Sequence, residues 1–427
     1  MRSTLFTLFL VSGFLVFANG QEGHGDEHQQ DTAHMQDSAH TDDNHSACGC
    51  HHDEEEFPEY NPTASAFHHI GDANAFHIVG DIYIPLPCIL YAPDHGLTTM
   101  LSSKFEAHHH GNGEKAIDRY VLVHGEVKRV ADPAFPMGEV EIECISHVME
   151  MHEGKEVEEP IVVYGGTCYH LENRSTLDGG VFGGGITSFY DFSITKNVFT
   201  MLLVMLVLFL VFRSVAKAYT ARRGMAPKGL QGFLEPIVLF IQDEVAKPFI
   251  GAEKYHKYLP FLLSIFFFIL SLNLIGQIPF FPGSANVTGN LGVTLVLALF
   301  TFLVVNLNGK KNYWKHIFWM PGVPAPIKLI LTPVEVLGLF IKPFTLMLRL
   351  FANITAGHIV VLSFVGLIFI FGKSGASLGG SLGGALASIP LTMFIMAIEL
   401  LVAFIQAFVF TLLTASYIGA AIEEEHH

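Results

Sequence analysis

Two apolar stretches near the end of the chain, residues 330–372 and 384–419, are far longer than the roughly 20 residues a helix needs to cross a bilayer, so each must cross at a steep tilt. Three shorter runs precede them, at about 197–212, 258–280 and 290–307, and each suits a single crossing. In hydrocarbon every backbone N–H and C=O has to be satisfied inside its own segment, so these runs dictate helices. Half of the 427 residues are hydrophobic and only 15% are charged, a balance that fits membrane spans.

Basic residues orient the spans. Arg213, Lys217, Arg222, Arg223 and Lys228 follow the first run and Lys310, Lys311 and Lys315 follow the third, which predicts that both loops are cytoplasmic. Trp314 and Trp319 sit beside the second basic loop, where an interfacial belt belongs. Five crossings then leave the N-terminus outside and the C-terminus inside. Residues 229–250 mix apolar with charged side chains and read as a helix lying on the cytoplasmic face.

The part before residue 191 is different. Residues 1–20 read as a secretory signal: Arg2, an apolar middle from Leu5 to Phe17, and the small-residue site Ala18-Asn19-Gly20. Residues 21–65 form a tail too rich in histidine and acid to bury a core, and disorder is expected. Within it Cys48-Gly49-Cys50-His51-His52 offers soft-metal ligands, but the spacing is not that of a zinc finger, and no metal or cofactor site is assigned. Residues 66–190 show short runs rich in branched residues between Gly, Pro and Asp, among them His77–Val79, Asp81–Ile84, Tyr120–Val123, Val140–Ile145 and Ile161–Tyr164. They predict a small β-rich extracytoplasmic domain. Two of Cys88, Cys144 and Cys168 could pair in an oxidising compartment, and the spacing does not say which. His68, His69, His108, His109 and His110 read as surface histidines. The net charge of −16 falls mainly in this half and excludes nucleic acid as a partner.

The functional signal lies in the last two spans. Arg349 stands in an apolar run with no acid near it in sequence, where a guanidinium costs about 2.5–3.5 kcal/mol or more to insert. The Gly- and Ser-rich stretch Gly372 to Gly384 predicts a hairpin turn centred near residue 378. Residues at equal depth on the two helices then have numbers summing to about 756, a condition met by Arg349 with Gln406 and by His358 with Glu399. The His358 level lies roughly 13 Å from the arginine level, toward the outer loop. Thr345, Arg349 and Asn353 share one side of their helix, and Thr392, Glu399 and Gln406 share a side of theirs. Intramembrane ionisable groups at matched depth read as pathway residues.

The runs Leu348-Arg349-Leu350-Phe351-Ala352-Asn353-Ile354-Thr355-Ala356-Gly357-His358 and Ile405-Gln406-Ala407-Phe408-Val409-Phe410, with Lys342-Pro343, Glu399 and Asn273-Leu274-Ile275-Gly276, strongly resemble subunit a of F-type ATP synthases. The resemblance covers about residues 190–422. It implies a membrane stator, not itself an enzyme, that passes protons through two half-channels to and from carboxylates on a rotating c-type ring. By the same resemblance Arg349 is the essential arginine, Asn353 its companion amide, Gln406 the family's glutamine, and His358 and Glu399 the acid and histidine of the outer half-channel. The implied partners are the c-type ring, peripheral-stalk b-type subunits, the rest of the F1Fo complex and the lipid bilayer; the implied place is a bacterial inner membrane. A stand-alone ion or metal transporter, with the His-rich tail as collector, is the alternative. It predicts an internal repeat that the spans do not display, and the unpaired arginine suits a carboxylate supplied by another chain.

Taken together, these features predict an all-α membrane domain over 191–422, with five transmembrane helices, a long tilted C-terminal hairpin and a cytoplasmic surface helix. A β-rich domain precedes it and a cytoplasmic tail, 423–427, follows.

Overall fold

The computed structural model describes residues 71–423 apart from 80–81, 109–110, 153–154, 177–185, 279–282, 284, 321–322 and 373–376. The expected signal segment, the His-rich tail with Cys48, Cys50, His51 and His52, and His68, His69, His109 and His110 all lie outside the described residues. The described chain divides into two compact units, one holding residues 73–195 and the other residues 196 onward together with Gly71 and Asp72.

The first unit is built from fourteen strands: β1 (Ala75–Val79), β2 (Ile82–Pro85), β3 (Pro87–Ala92), β4 (Gly96–Leu101), β5 (Ala107–His108), β6 (Asn112–Gly113), β7 (Lys115–Ile117), β8 (Tyr120–Val123), β9 (Glu126–Val130), β10 (Glu139–Glu141), β11 (Cys144–His152), β12 (Lys155–Tyr164), β13 (Thr167–Glu172) and β14 (Tyr190–Asp191). Seven of them form one antiparallel sheet in the order β10-β7-β8-β9-β13-β12-β11. The run Val140–Ile145 is not one strand, as its apolar pattern suggests, but the junction of β10 and β11 at opposite edges of that sheet. Only Ile142 and Glu143 join the two. A flat sheet of seven strands would be roughly 29 Å wide, beyond the reach of so short a link. The sheet therefore curls until its edges meet, with the Ile142 N–H donating to Glu114 O at 3.0 Å and the Glu143 N–H to Val163 O at 2.9 Å.

Curling gives the sheet an inside and an outside, and β8 feeds both. All four of its residues are buried. Val121 and Val123 pack inward with Val130, Phe135 and Val162, while Tyr120 and Leu122 pack outward with Cys88, Leu90, Phe105 and Phe189. The continuous apolar run Tyr120–Val123 is what a strand covered on both faces requires. The β8–β9 hairpin closes on His124 and Gly125, both at positive φ (49° and 85°), the geometry of a two-residue turn whose twist matches its strands. Cys88 is a free thiol in the core, pushed up to about 11 by burial, whereas Cys144 and Cys168 are both disulfide-bonded.

The second unit is helical: α1 (Lys196–Ala221), α2 (Leu230–Phe240), a π-helical turn at Ile241–Ala246, α3 (Lys247–Ile250), α4 (Tyr255–Gly276), α5 (Leu291–Leu307), α6 (Lys311–Phe318), α7 (Ala325–Phe371) and α8 (Leu378–Ile422). Four helices, α1, α4, α7 and α8, are long and apolar enough to cross a membrane. The bent pair α5 and α6, which turns by 106°, makes a fifth if it is counted as one span. The helices outrun the apolar runs because nothing at their ends forbids helix: Arg213 and Lys217 simply continue α1. At 47 residues α7 is roughly 70 Å long, more than twice the hydrocarbon thickness.

The Gly-rich turn is also shorter than expected. Ser377 caps α8 by accepting from the Gly380 N–H, and Gly379, Gly380, Gly383 and Gly384 are helical. Their role is close approach. A Cβ on Gly380 would collide with the Phe371 carbonyl oxygen, and one on Gly384 would stand 3.1 Å from the Leu367 carbonyl oxygen. At the other end of the hairpin, the Lys310 N–H donates to Ala421 O at 2.9 Å, and Gly419 packs against Phe249 of α3. The second basic loop, the end of α3 and the C-terminal end of α8 thus gather at one end of this unit.

Candidate functional site

The site is built on the α7–α8 hairpin. Its register is visible in three contacts: Gly372 against Ser381, the Ser388 hydroxyl donating to Phe364 O, and Gly357 against Glu399. The first two pairs have residue numbers summing to about 752–753, and the last to about 756. The matched depth expected from sequence therefore holds at the Glu399 level. A Cβ on Gly357 would overlap Glu399 Oε1 and stand 3.1 Å from its Cδ, so glycine there leaves room for the carboxylate.

Both helices of the hairpin carry polar atoms without partners. Glu399 Oε1, Thr355 Oγ1 and Thr392 Oγ1 are buried and make no hydrogen bond among the described residues. His358 and Glu399 are each half-buried. Burying an unsatisfied polar atom is costly, so each of the three marks a point where a polar partner is missing among the described residues. Thr355 was missed as a site residue although it lies within the Leu348–His358 run, and Thr392 was noted only as sharing a side with Glu399; small hydroxyls in an apolar helix carry no charge to draw notice.

Arg349 lies nine residues before His358 on α7. Leu346, Met347 and Leu350 form the buried side of α7 around it, at 1%, 4% and 1% exposure. Thr345 and Asn353, spaced four residues either side of Arg349, are exposed, as are Phe344, Leu348 and Ala352 beside them. Arg349 itself is half-buried, and among the described residues it forms no ion pair or hydrogen bond. Gln406 is only 8% exposed on the covered side of α8 and makes no hydrogen bond to Arg349. The guanidinium's donors are thus unused among the described residues.

Asn273 fixes α8 from behind. It is 2% exposed, donates to Ala403 O at 3.4 Å and accepts from the Thr288 hydroxyl at 2.8 Å. Ala403 lies between Glu399 and Gln406, so this link sets the level of both. The Asn273–Gly276 run drew attention in the sequence; Thr288 did not, because it belongs to a connecting segment with no periodic pattern.

Comparison with known proteins bears on these positions. A family model described as ATP synthase A chain matches residues 198–419. The chain belongs to that family. Among its relatives is an ATP synthase subunit a of Chloroherpeton thalassium, 43% identical over 245 residues, which cover 56% of this chain and 69% of that one. An ATP synthase subunit a 2 of Prosthecochloris aestuarii is 39% identical over 300 residues, 68% of this chain and 87% of that one. An ATP synthase subunit a of Anaeromyxobacter dehalogenans is 37% identical over 297 residues, 67% and 72% of the two chains. A second family model, described as a domain of unknown function, matches residues 65–143. The ATP synthase A chain match takes in Arg349, Asn353, His358, Glu399 and Gln406.

Proposed function

We propose that this chain is the membrane stator of a bacterial F-type ATP synthase and forms two proton half-channels that exchange protons with the carboxylates of a rotating c-type ring. Membership of the ATP synthase A chain family supports the stator role and a non-catalytic, proton-translocating part in the complex. The observation that carries the finer reading is Arg349, half-buried on an otherwise exposed apolar face with no ion pair or hydrogen bond among the described residues. A ring carboxylate in lipid has to be neutral, yet beside a guanidinium its ionised form is favoured. Each carboxylate therefore releases its proton to one half-channel as it nears Arg349 and takes another from the second half-channel after passing. Asn353, on the same stripe, steadies the passing carboxylate, and Gln406 holds the facing helix at the arginine's level.

The outer half-channel runs along His358, Thr355, Thr392 and Glu399, toward the α7–α8 turn. The N-terminal β-rich unit and that turn are assigned to the periplasmic side; the basic loops and the C-terminus are assigned to the cytoplasm, where peripheral-stalk b-type subunits and the rest of the F1Fo complex join. The gathering of Lys310 and the end of α8 supports this sidedness.

The test is an exchange of the two ionisable groups. In inverted vesicles, His358→Glu combined with Glu399→His should restore ATP-driven acidification well above either single substitution; a double variant no better than the singles would remove the pair from the pathway. Gly357→Val offers a second readout. The added branches displace the Glu399 carboxylate, and pumping should fall several-fold while the subunit still assembles. Undiminished pumping would show that the position of Glu399 does not matter.

A further inference from the structure

Three strands of the β unit pair in the order β14-β3-β4, and their register decides which side chains share a face. Tyr91, Ile89 and Pro87 of β3 stand opposite Leu97, Thr99 and Leu101 of β4. On the other side of β3, Tyr190 of β14 stands opposite Tyr91. The chain keeps this pairing beyond β14, with the Phe192 N–H donating to Ile89 O at 2.8 Å and the Ile194 N–H to Pro87 O at 3.0 Å. Alternate residues of a strand point the same way, so these side chains form three rows of three, about 14 Å by 10 Å between the outermost Cα atoms.

The two faces of this small sheet differ sharply. Cys88, Leu90, Ala92 and Met100 point into the core, and Asp191 and Ser193 are buried on the same side. The opposite face carries no charge and, Thr99 apart, only apolar or aromatic side chains. Leu97, Leu101, Phe192 and Tyr91 on it are 66%, 49%, 45% and 43% exposed. It is also preformed: Tyr190 and Phe192 stack with ring centres 6.5 Å apart, the Ile89 N–H donates to the Ser193 hydroxyl at 3.0 Å, and the Ser193 N–H donates to the Asp191 side chain at 2.8 Å. A contiguous exposed apolar face of this kind marks an interaction surface.

The chain itself indicates what covers the face. Only Thr195 separates Ile194 from Lys196, where α1 begins, so two residue steps, about 7 Å, join the third row to a helix long and apolar enough to cross a membrane. Further along, α1 leaves Leu206, Val207, Phe209 and Leu210 exposed, as a span in contact with lipid does. A partner recognised by charge would find nothing on the face to pair with. Tyrosine rings, apolar in the body and polar at the tip, suit the headgroup level of a bilayer. We infer that the β14-β3-β4 face rests on the surface of the bilayer that α1 enters, with phospholipid as its occupant. Its tether to α1 holds it there, so it needs no strong affinity of its own. The inference stands apart from the channel reading, since neither needs the other.

The experiment is photocrosslinking of the full chain, assembled with its complex in native membranes. The photoreactive residue p-benzoylphenylalanine is placed at Leu97, at Leu101 or, as a lipid-facing reference, at Phe209. After irradiation and digestion, mass spectrometry should find the mass of a phospholipid added to the Leu97 and Leu101 peptides as well as to that of Phe209. A crosslink from Leu97 or Leu101 to another polypeptide, or to a second copy of this chain, would show that protein covers the face and would overturn the inference. So would the absence of a lipid adduct at either position while Phe209 is labelled.

Discussion

Arg349→Ala should abolish ATP-driven proton pumping in inverted vesicles while ATP hydrolysis by the soluble head stays largely intact. Arg349 is half-buried on an exposed apolar face, where no described residue pairs with it, so truncation leaves no broken ion pair inside the chain and the subunit should still fold. On the proposed mechanism, what is lost is the charge that makes a neighbouring ring carboxylate ionise. A charge-assisted hydrogen bond is worth about 1.5–3 kcal/mol, and more in a medium of low dielectric. That alone lowers the ionised fraction about 10- to 150-fold, before the loss of the barrier that keeps protons from slipping directly between the half-channels is considered. Arg349→Lys should also be severely impaired, because a compact, strongly hydrated ammonium cannot present the planar fork of donors. Acidification by dye quenching, with hydrolysis measured in the same vesicles, is the check; normal acidification by Arg349→Ala would rule out the stator reading of this residue.

The second large effect is expected in the β unit. Arg129 of β9 is 0% exposed at its side chain and Arg119 7%, and both donate to Asp94: Arg129 at 2.7 and 2.6 Å, Arg119 at 3.0 Å. Arg129 also donates to Ser188 O at 3.0 Å and lies 5.5 Å from the centre of the Tyr120 ring. Asp94 itself is 55% exposed. Its importance comes from its partners, because removing it leaves two guanidiniums inside the protein without a carboxylate. Asp94→Ala should destabilise the β unit by about 3–5 kcal/mol, a large share of what a domain possesses. By contrast, Glu106→Ala at the exposed pair with Lys115 should cost no more than about 1 kcal/mol. Pulse proteolysis of the full chain in increasing urea, following the β unit's fragment, distinguishes the two.

The same carboxylate sets a pH dependence. The Arg129 side chain beside Asp94 holds its acid below the usual aspartate range. A carboxyl with a depressed folded pKa stabilises the fold fully above its unfolded value and loses that contribution as pH falls through the folded one. The β unit should therefore weaken from about pH 4 downward, and Asp94→Asn, already lacking the charge, should show a flatter profile over that range.

How much of this was legible beforehand differs between the two units. The helices could be located because hydrocarbon admits few backbone solutions, and Arg349, His358 and Glu399 stood out because a charge there demands a reason. Equal depth followed from the rise of a helix and the position of a turn, and the Gly357–Glu399 contact has that register. Arg119, Arg129 and Asp94 were invisible, being ordinary charged residues among short strands; only the curling of the sheet brings them together. Val140–Ile145 read as one strand because composition does not reveal where a sheet closes on itself.

Local physics along the chain thus determined the apolar helices, their buried charges and the alternating strands, since each depends on a residue and its near neighbours. Tertiary structure decided what depends on distant residues meeting: the glycine that leaves room for Glu399, the Thr288 hydroxyl that meets Asn273 behind α8, and the two arginines that converge on Asp94. Sequence spacing carries no record of such meetings, because the loop lengths between these residues constrain their separation far less than packing does.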